Sequence, residues 1–188
     1  DIMKTDLTSV IQSRKTSGKV RIIGNLPYYI TTPIIMKLLE EHVPADSITI
    51  MMQKEVADRI KASAGSKTYG ALSVAVGFYC TVEHIANAPK EVFVPRPKVD
   101  SAVIRLDIRS ERPVDLIDEK IFFDTVKNGF GQRRKTLLNS LTGVRGLPKD
   151  QISDVLEAAG IDPKRRAETL DLEEFARVAN EIAKIVLQ

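Results

Sequence analysis

Apolar positions in the first half of the chain alternate between two patterns. Val20-Arg21-Ile22-Ile23-Gly24 is a short apolar run that reads as a buried strand of a parallel sheet, and Ser47-Ile48-Thr49-Ile50-Met51-Met52 reads as a second one. Between them Thr32-Pro33 opens a helix to about Glu41, with threonine as its cap and proline in its first turn. A helix from Gln53 to Ala62 places Val56, Ala57 and Ile60 on one face. The loop Ala64-Gly65-Ser66-Lys67-Thr68 follows, then an apolar helix from about Leu72 to Phe78. Thr81–Ala88 and Ser101–Ile108 alternate as strands and are expected as antiparallel neighbours, flanking the loop from Val92 to Lys98. This order predicts an α/β sheet with a mixed, antiparallel edge.

Around Arg109-Ser110-Glu111-Arg112-Pro113 the pattern changes, and no further strand is predicted. Helices are expected at 118–128, 133–141, 150–159 and 171–187. Ile152, Val155, Leu156 and Ala159 share one helical face, with Gly160 as the stop. Asp171 with Glu174 three residues on predicts a capping box, and Phe175, Val178, Ala179, Ile182 and Val186 form the buried stripe behind it. The chain therefore divides into 1–110, an α/β part, and 111–188, a small all-α domain.

Composition narrows the class without naming a task. Hydrophobic residues at 43% and charged residues at 28% suit a globular protein, and a net charge of +3 leaves any polyanion argument to local clusters. The single cysteine, Cys80, excludes an internal disulfide and makes a reducing compartment the simpler expectation. Its apolar surroundings place it in the core. His42 and His84 lack ligand-spaced partners, so no metal site is expected. No apolar run approaches transmembrane length and no charged-then-apolar leader opens the chain, which predicts a cytoplasmic protein with no membrane partner; a monomer is expected.

Candidate chemistry gathers at Asn25-Leu26-Pro27-Tyr28-Tyr29-Ile30, immediately after the first strand. Open α/β sheets bind ligands at the carboxyl ends of their strands. An asparagine side-chain oxygen and a neighbouring backbone carbonyl can both accept hydrogen bonds from an exocyclic amine. Proline contributes no competing N–H, and tyrosine offers a flat face to a planar base. The competing reading is an ordinary strand-to-helix turn with a core tyrosine. Tyr29 and Tyr69 read as packing residues. Gly129-Phe130-Gly131 lies between predicted helices and reads as a helix–helix turn, since a nucleotide-binding glycine loop follows a strand.

Five stretches, in order along nearly the whole chain, resemble the small-subunit ribosomal RNA adenine dimethyltransferases, the kasugamycin-sensitivity family. They are Asn25-Leu26-Pro27-Tyr28, Gln53-Lys54-Glu55-Val56-Ala57, Phe93-Val94-Pro95-Arg96-Pro97-Lys98-Val99-Asp100-Ser101, Gln132-Arg133-Arg134-Lys135-Thr136-Leu137 and Arg166-Ala167-Glu168-Thr169-Leu170. The resemblance implies the C-terminal portion of a Rossmann-like, S-adenosylmethionine-dependent methyltransferase sheet, followed by a helical RNA-binding domain. It implies methylation of N6 on two adjacent adenosines near the 3′ end of small-subunit (16S) RNA, within the 30S or pre-30S particle. Asn25, Leu26, Pro27, Tyr28 and Phe93 would carry catalysis, Tyr28 and Phe93 clamping the target base. Asp1 and Asn25 would meet the cofactor, Asp1 through its adenine. Arg96 and Lys98, with Arg133, Arg134 and Lys135 leading a helix, would meet RNA. The family's glycine-rich cofactor loop has no counterpart here, so the chain is expected to be a fragment, inactive alone. A related large-subunit adenine methyltransferase of the macrolide-resistance type and a non-catalytic RNA-binding assembly factor are the alternative readings.

Overall fold

Four strands form one mixed sheet in the order β1-β2-β4-β3, with β1 at Arg21–Asn25, β2 at Ser47–Gln53, β3 at Cys80–Ala88 and β4 at Ser101–Ile108. This computed structural model describes residues 1–14 and 17–187. β1 runs parallel to β2, from Arg21 opposite Ser47 to Asn25 opposite Met51. β4 is antiparallel to both β2 and β3, and a bulge between His84 and Ala86 interrupts the β3 pairing. The α/β class with an antiparallel edge is as expected.

Contacts group the chain into two compact units. One joins Asp1–Lys61 to Tyr79–Glu111 and the other joins Ala62–Phe78 to Arg112–Gln188. In the first, the period of two decides burial: Ile48, Ile50 and Met52 on β2 and Ala102, Ile104 and Leu106 on β4 are each at most 1% exposed. Helix α2, Thr31–Glu40, buries Ile34, Ile35, Leu38 and Leu39, and α3, Lys54–Ile60, buries Ala57 and Ile60. Cys80 is 1% exposed, and burial pushes its thiol up to about 12, in keeping with a core cysteine.

Two local expectations are corrected here, and one element is added. β1 is not buried: it is an edge strand, and Ile23 is 80% exposed because nothing covers that face among the described residues. The cap of α2 is Ile30, not Thr32; Thr31 is already helical and its Oγ1 donates to the Pro27 carbonyl at 3.1 Å. An additional helix, α1 at Leu7–Arg14, buries none of its residues and so lacks the face that periodicity detects.

The second unit is helical: α4 at Ala71–Tyr79, α5 at Glu119–Gly131, α6 at Leu137–Leu141, α7 at Lys149–Ala158 and α8 at Leu172–Val186. The capping box at Asp171 and Glu174 forms, and Phe175, Val178, Ala179 and Ile182 are buried along α8. Two differences matter. Helix α6 begins at Leu137 rather than at 133, because residues 132–135 close a turn in which Lys135 N donates to the Gln132 carbonyl at 2.8 Å. The N–H groups of Leu137 and Leu138 then go to the carbonyls of Arg165 and Pro163. Gly129 and Gly131 are not a linker but the last turn of α5. A Cβ on Gly129 would lie 3.2 Å from Ala167 Cβ and 3.5 Å from the Phe175 ring, so any side chain there would press on Ala167. Among the described residues no strand follows residue 108, no helix is long and apolar enough to cross a membrane, and no cluster of metal-ligating side chains occurs.

Candidate functional site

Register brings four strand ends to one edge of the sheet. Asn25 ends β1 and pairs with Met51, Gln53 ends β2 and pairs with Ser101, and Ser101, which opens β4, pairs with Ala88, which ends β3. The loops after β1 and β3 therefore leave from the same end. It is also the carboxyl end of the parallel pair, where open α/β sheets place ligands.

The chain extends the ladder by one bond beyond β1, Leu26 N to the Met51 carbonyl at 3.3 Å, and then turns at Pro27, whose carbonyl accepts Ile30 N at 3.1 Å. A Cβ on Gly24, one residue before the end of β1, would stand 3.1 Å from Leu26 Cδ2 and press on that side chain. Tyr28 is half-buried and its hydroxyl shares a 2.7 Å hydrogen bond with Ser101 Oγ, itself fully buried, so the ring is held at both ends. Asn25 is exposed, and among the described residues neither its side chain nor the Leu26 carbonyl has a hydrogen-bond partner. Two acceptors thus stand uncommitted beside a fixed aromatic ring. Tyr29, expected as packing, is instead 86% exposed.

Phe93 is half-buried in the loop between β3 and β4, following a short 3-10 turn at Lys90–Val92. Asp100 pins that loop twice: its carboxylate accepts Lys90 N at 3.0 Å and its carbonyl accepts Lys54 N at 2.9 Å. The Val94–Pro95 peptide is cis. Arg96 pairs with Glu91 inside the loop, whereas Lys98 is exposed and has no ionic partner among the described residues. The rings of Tyr28 and Phe93 do not touch each other. Asp1, also exposed, accepts Met3 N on Oδ1 at 3.0 Å and keeps Oδ2 uncommitted among the described residues; no hydrogen bond joins it to Asn25.

The basic run at 133–135 lies in the helical unit, while Arg96 and Lys98 lie in the sheet unit. Its three members differ. Arg133 Nε donates to Glu168 Oε2 at 3.1 Å, and Nη2 donates to the carbonyls of Lys67 and Tyr69. Arg134 and Lys135 are exposed without an ionic partner among the described residues, as are Lys164 and Arg166. Arg165 is committed: it forks onto Glu174 at 2.6 and 2.9 Å and donates to the Thr169 carbonyl at 2.7 Å. That fork holds the Glu174 carboxyl below its usual range and raises the Arg165 guanidinium further.

Roles for Ser101 and Asp100 were not legible in the sequence. Asp100 and Ser101 stand inside a recognised stretch, but only strand register reveals that Ser101 reaches Tyr28. No local pattern marks a tyrosine as exposed.

Comparison with known proteins agrees with this arrangement. The family model described as ribosomal RNA adenine dimethylase matches residues 1–184. A ribosomal RNA small subunit methyltransferase A of Clostridioides difficile (strain 630) is 54% identical over 96% of this chain and 62% of its own length. One from Geobacillus thermodenitrificans (strain NG80-2) is 51% identical over 96% and 63%. The chain therefore spans under two thirds of the curated relatives it matches. Among solved structures, a dimethyladenosine transferase from Plasmodium falciparum superposes with a TM-score of 0.76 at 26% identity, covering 91% of this chain and 70% of that one. The 23S rRNA methyltransferase ErmE shares the fold, with a TM-score of 0.63 at 21% identity over 96% and 69%. By its sheet, its ordered sequence stretches and these matches, the chain belongs to the ribosomal RNA adenine dimethylase family.

Proposed function

We propose that the chain works within an enzyme that dimethylates N6 of two adjacent adenosines in small-subunit ribosomal RNA, using S-adenosylmethionine. The observation that carries this reading is the pair of uncommitted acceptors, the Asn25 side-chain oxygen and the Leu26 carbonyl, at the carboxyl end of β1. The names of the curated relatives favour the small subunit over the large. Residues 1–110 would form the later portion of the cofactor domain and 111–188 the RNA-binding domain, acting on the 30S or pre-30S particle in the cytoplasm.

Adenine's amine is a poor nucleophile because its lone pair is delocalised into the ring. Acceptors on both of its hydrogens would hold it in place and favour a pyramidal nitrogen, which is catalysis by positioning and electrostatics. S-adenosylmethionine, when bound, supplies an electrophilic methyl group. Of the residues in this chain, Asp1 Oδ2 and Asn25 suit the cofactor, as acceptors for its adenine and amine groups. Extruding the target base costs a few kcal/mol. Tyr28, fixed by Ser101, and Phe93, on its pinned loop, would each return about 1–3 kcal/mol by stacking. Arg96, Lys98, Arg134 and Lys135 would meet phosphates, reading RNA by shape.

The test is transfer of labelled methyl groups to unmethylated small subunits by the complete protein. Asn25→Ala should lower transfer by about a hundredfold or more while RNA binding survives. Methyl groups appearing in large-subunit RNA would overturn the substrate. Subunit binding without any transfer would favour an assembly factor.

A further inference from the structure

Arg133 leads a basic run, yet its guanidinium faces the protein. Nε donates to Glu168 Oε2 at 3.1 Å while Nη2 reaches the Lys67 and Tyr69 carbonyls. A planar fork can serve a carboxylate and two carbonyls together; a lysine ammonium, a single point on a flexible stem, cannot reproduce that geometry. Glu168 also grips the same loop through its backbone, its carbonyl accepting Gly65 N at 2.7 Å, where Gly65 adopts φ +85°. Beyond the loop Tyr69 is 6% exposed and sits edge-on to Phe130 with ring centres 5.7 Å apart. Residues 65–69 are thus tied down at their start, middle and end.

These ties leave the side chain of Lys67 outside. It is exposed and has no ionic partner among the described residues. Because its own carbonyl is held by Arg133, Lys67 lies beside the turn that carries Arg134 and Lys135, both exposed and unpartnered in the same sense. The acidic residue at hand, Glu168, is engaged by Arg133. What remains are three cations that lack an ionic partner among the described residues, presented by two segments far apart in sequence.

We propose that Lys67, Arg134 and Lys135 form one phosphate-binding surface for RNA, and that Arg133 is a positioning residue that holds Lys67 on it. This rests on the RNA-modifying function proposed above.

The experiment measures binding of the complete protein to small-subunit RNA across a salt series, together with trypsin cleavage after residue 67. Lys67→Ala, Arg134→Ala and Lys135→Ala should each weaken binding about threefold to tenfold at low salt and lower the salt slope by about one. Arg133→Lys conserves charge, so a phosphate contact there would leave the slope unchanged. Positioning instead predicts that Arg133→Lys loses as much affinity and slope as Lys67→Ala, and that trypsin cuts faster after Lys67. Unchanged binding by Lys67→Ala, a fully surface substitution, overturns the shared surface; unchanged slope and cleavage in Arg133→Lys overturn the positioning role. Should Arg134→Ala and Lys135→Ala also leave binding unchanged, the RNA-binding reading of this unit falls with them. Failure confined to residues 67 and 133 leaves that reading standing.

Discussion

Tyr28 illustrates how one residue can belong to the core and to a site at once. Its hydroxyl is engaged by a buried serine while its ring remains half-exposed next to Asn25. Removing the hydroxyl should loosen the ring without removing its face. Tyr28→Phe leaves the buried Ser101 hydroxyl unpaired, an expected loss of about 1–2 kcal/mol in a denaturant titration. Tyr28→Phe together with Ser101→Ala removes both partners and should recover part of that loss. Methyl transfer should fall only modestly in Tyr28→Phe and strongly in Tyr28→Ala, where the stacking face itself is gone. Tyr29, by contrast, is open to solvent, and Tyr29→Ala is expected to change stability by less than about 0.5 kcal/mol.

At the scale of elements, α5 and α8 carry the sharpest expectations. A Cβ on Gly129 would crowd Ala167 whereas one on Gly131 would meet nothing within 4 Å, although both end the same helix. Gly129→Val should destabilise by about 1–3 kcal/mol through overpacking against Ala167 and Phe175. Gly131→Ala should gain up to about 1 kcal/mol from helix propensity, and thermal unfolding separates the two. The Arg165–Glu174 fork stands at the head of α8. Since Glu174 ionises more readily when folded than when unfolded, the fork contributes stability above the ordinary glutamate range. That contribution is lost as pH falls through the lowered folded value. Glu174→Gln should therefore flatten the acid limb of the stability–pH curve, which unfolding titrations between about pH 6 and pH 3 would register. Strong local signals made much of this fold legible: two runs of β-branched residues, an alternating pair, and a capping box that formed where Asp171 and Glu174 placed it. The misreadings have a shared cause. Gly129-Phe130-Gly131 looks like a linker because sequence records flexibility and not the ring that presses on the glycine. The run at 133–135 looks helical because its Leu137 and Leu138 are apolar at helical spacing, while their N–H groups are in fact satisfied from residues 163 and 165. Tyr28 was visible as chemistry, but its hydrogen-bond partner Ser101 is 73 positions away and becomes a neighbour only through the sheet.

For the whole molecule, the exposed side of β1 governs behaviour in solution. An edge strand with an apolar, outward-facing isoleucine invites pairing with another chain. The isolated 188-residue chain is expected to self-associate with rising concentration, and Ile23→Lys should suppress this in sedimentation experiments. The same strand ends in Asn25, so the residue proposed to orient the substrate is braced, among the described residues, through β2 alone. Occupancy of the open edge and occupancy of the pocket are then thermodynamically linked. A segment that ordered β1 from its outer side would tighten binding at Asn25, and a bound base would tighten that segment's grip by the same factor.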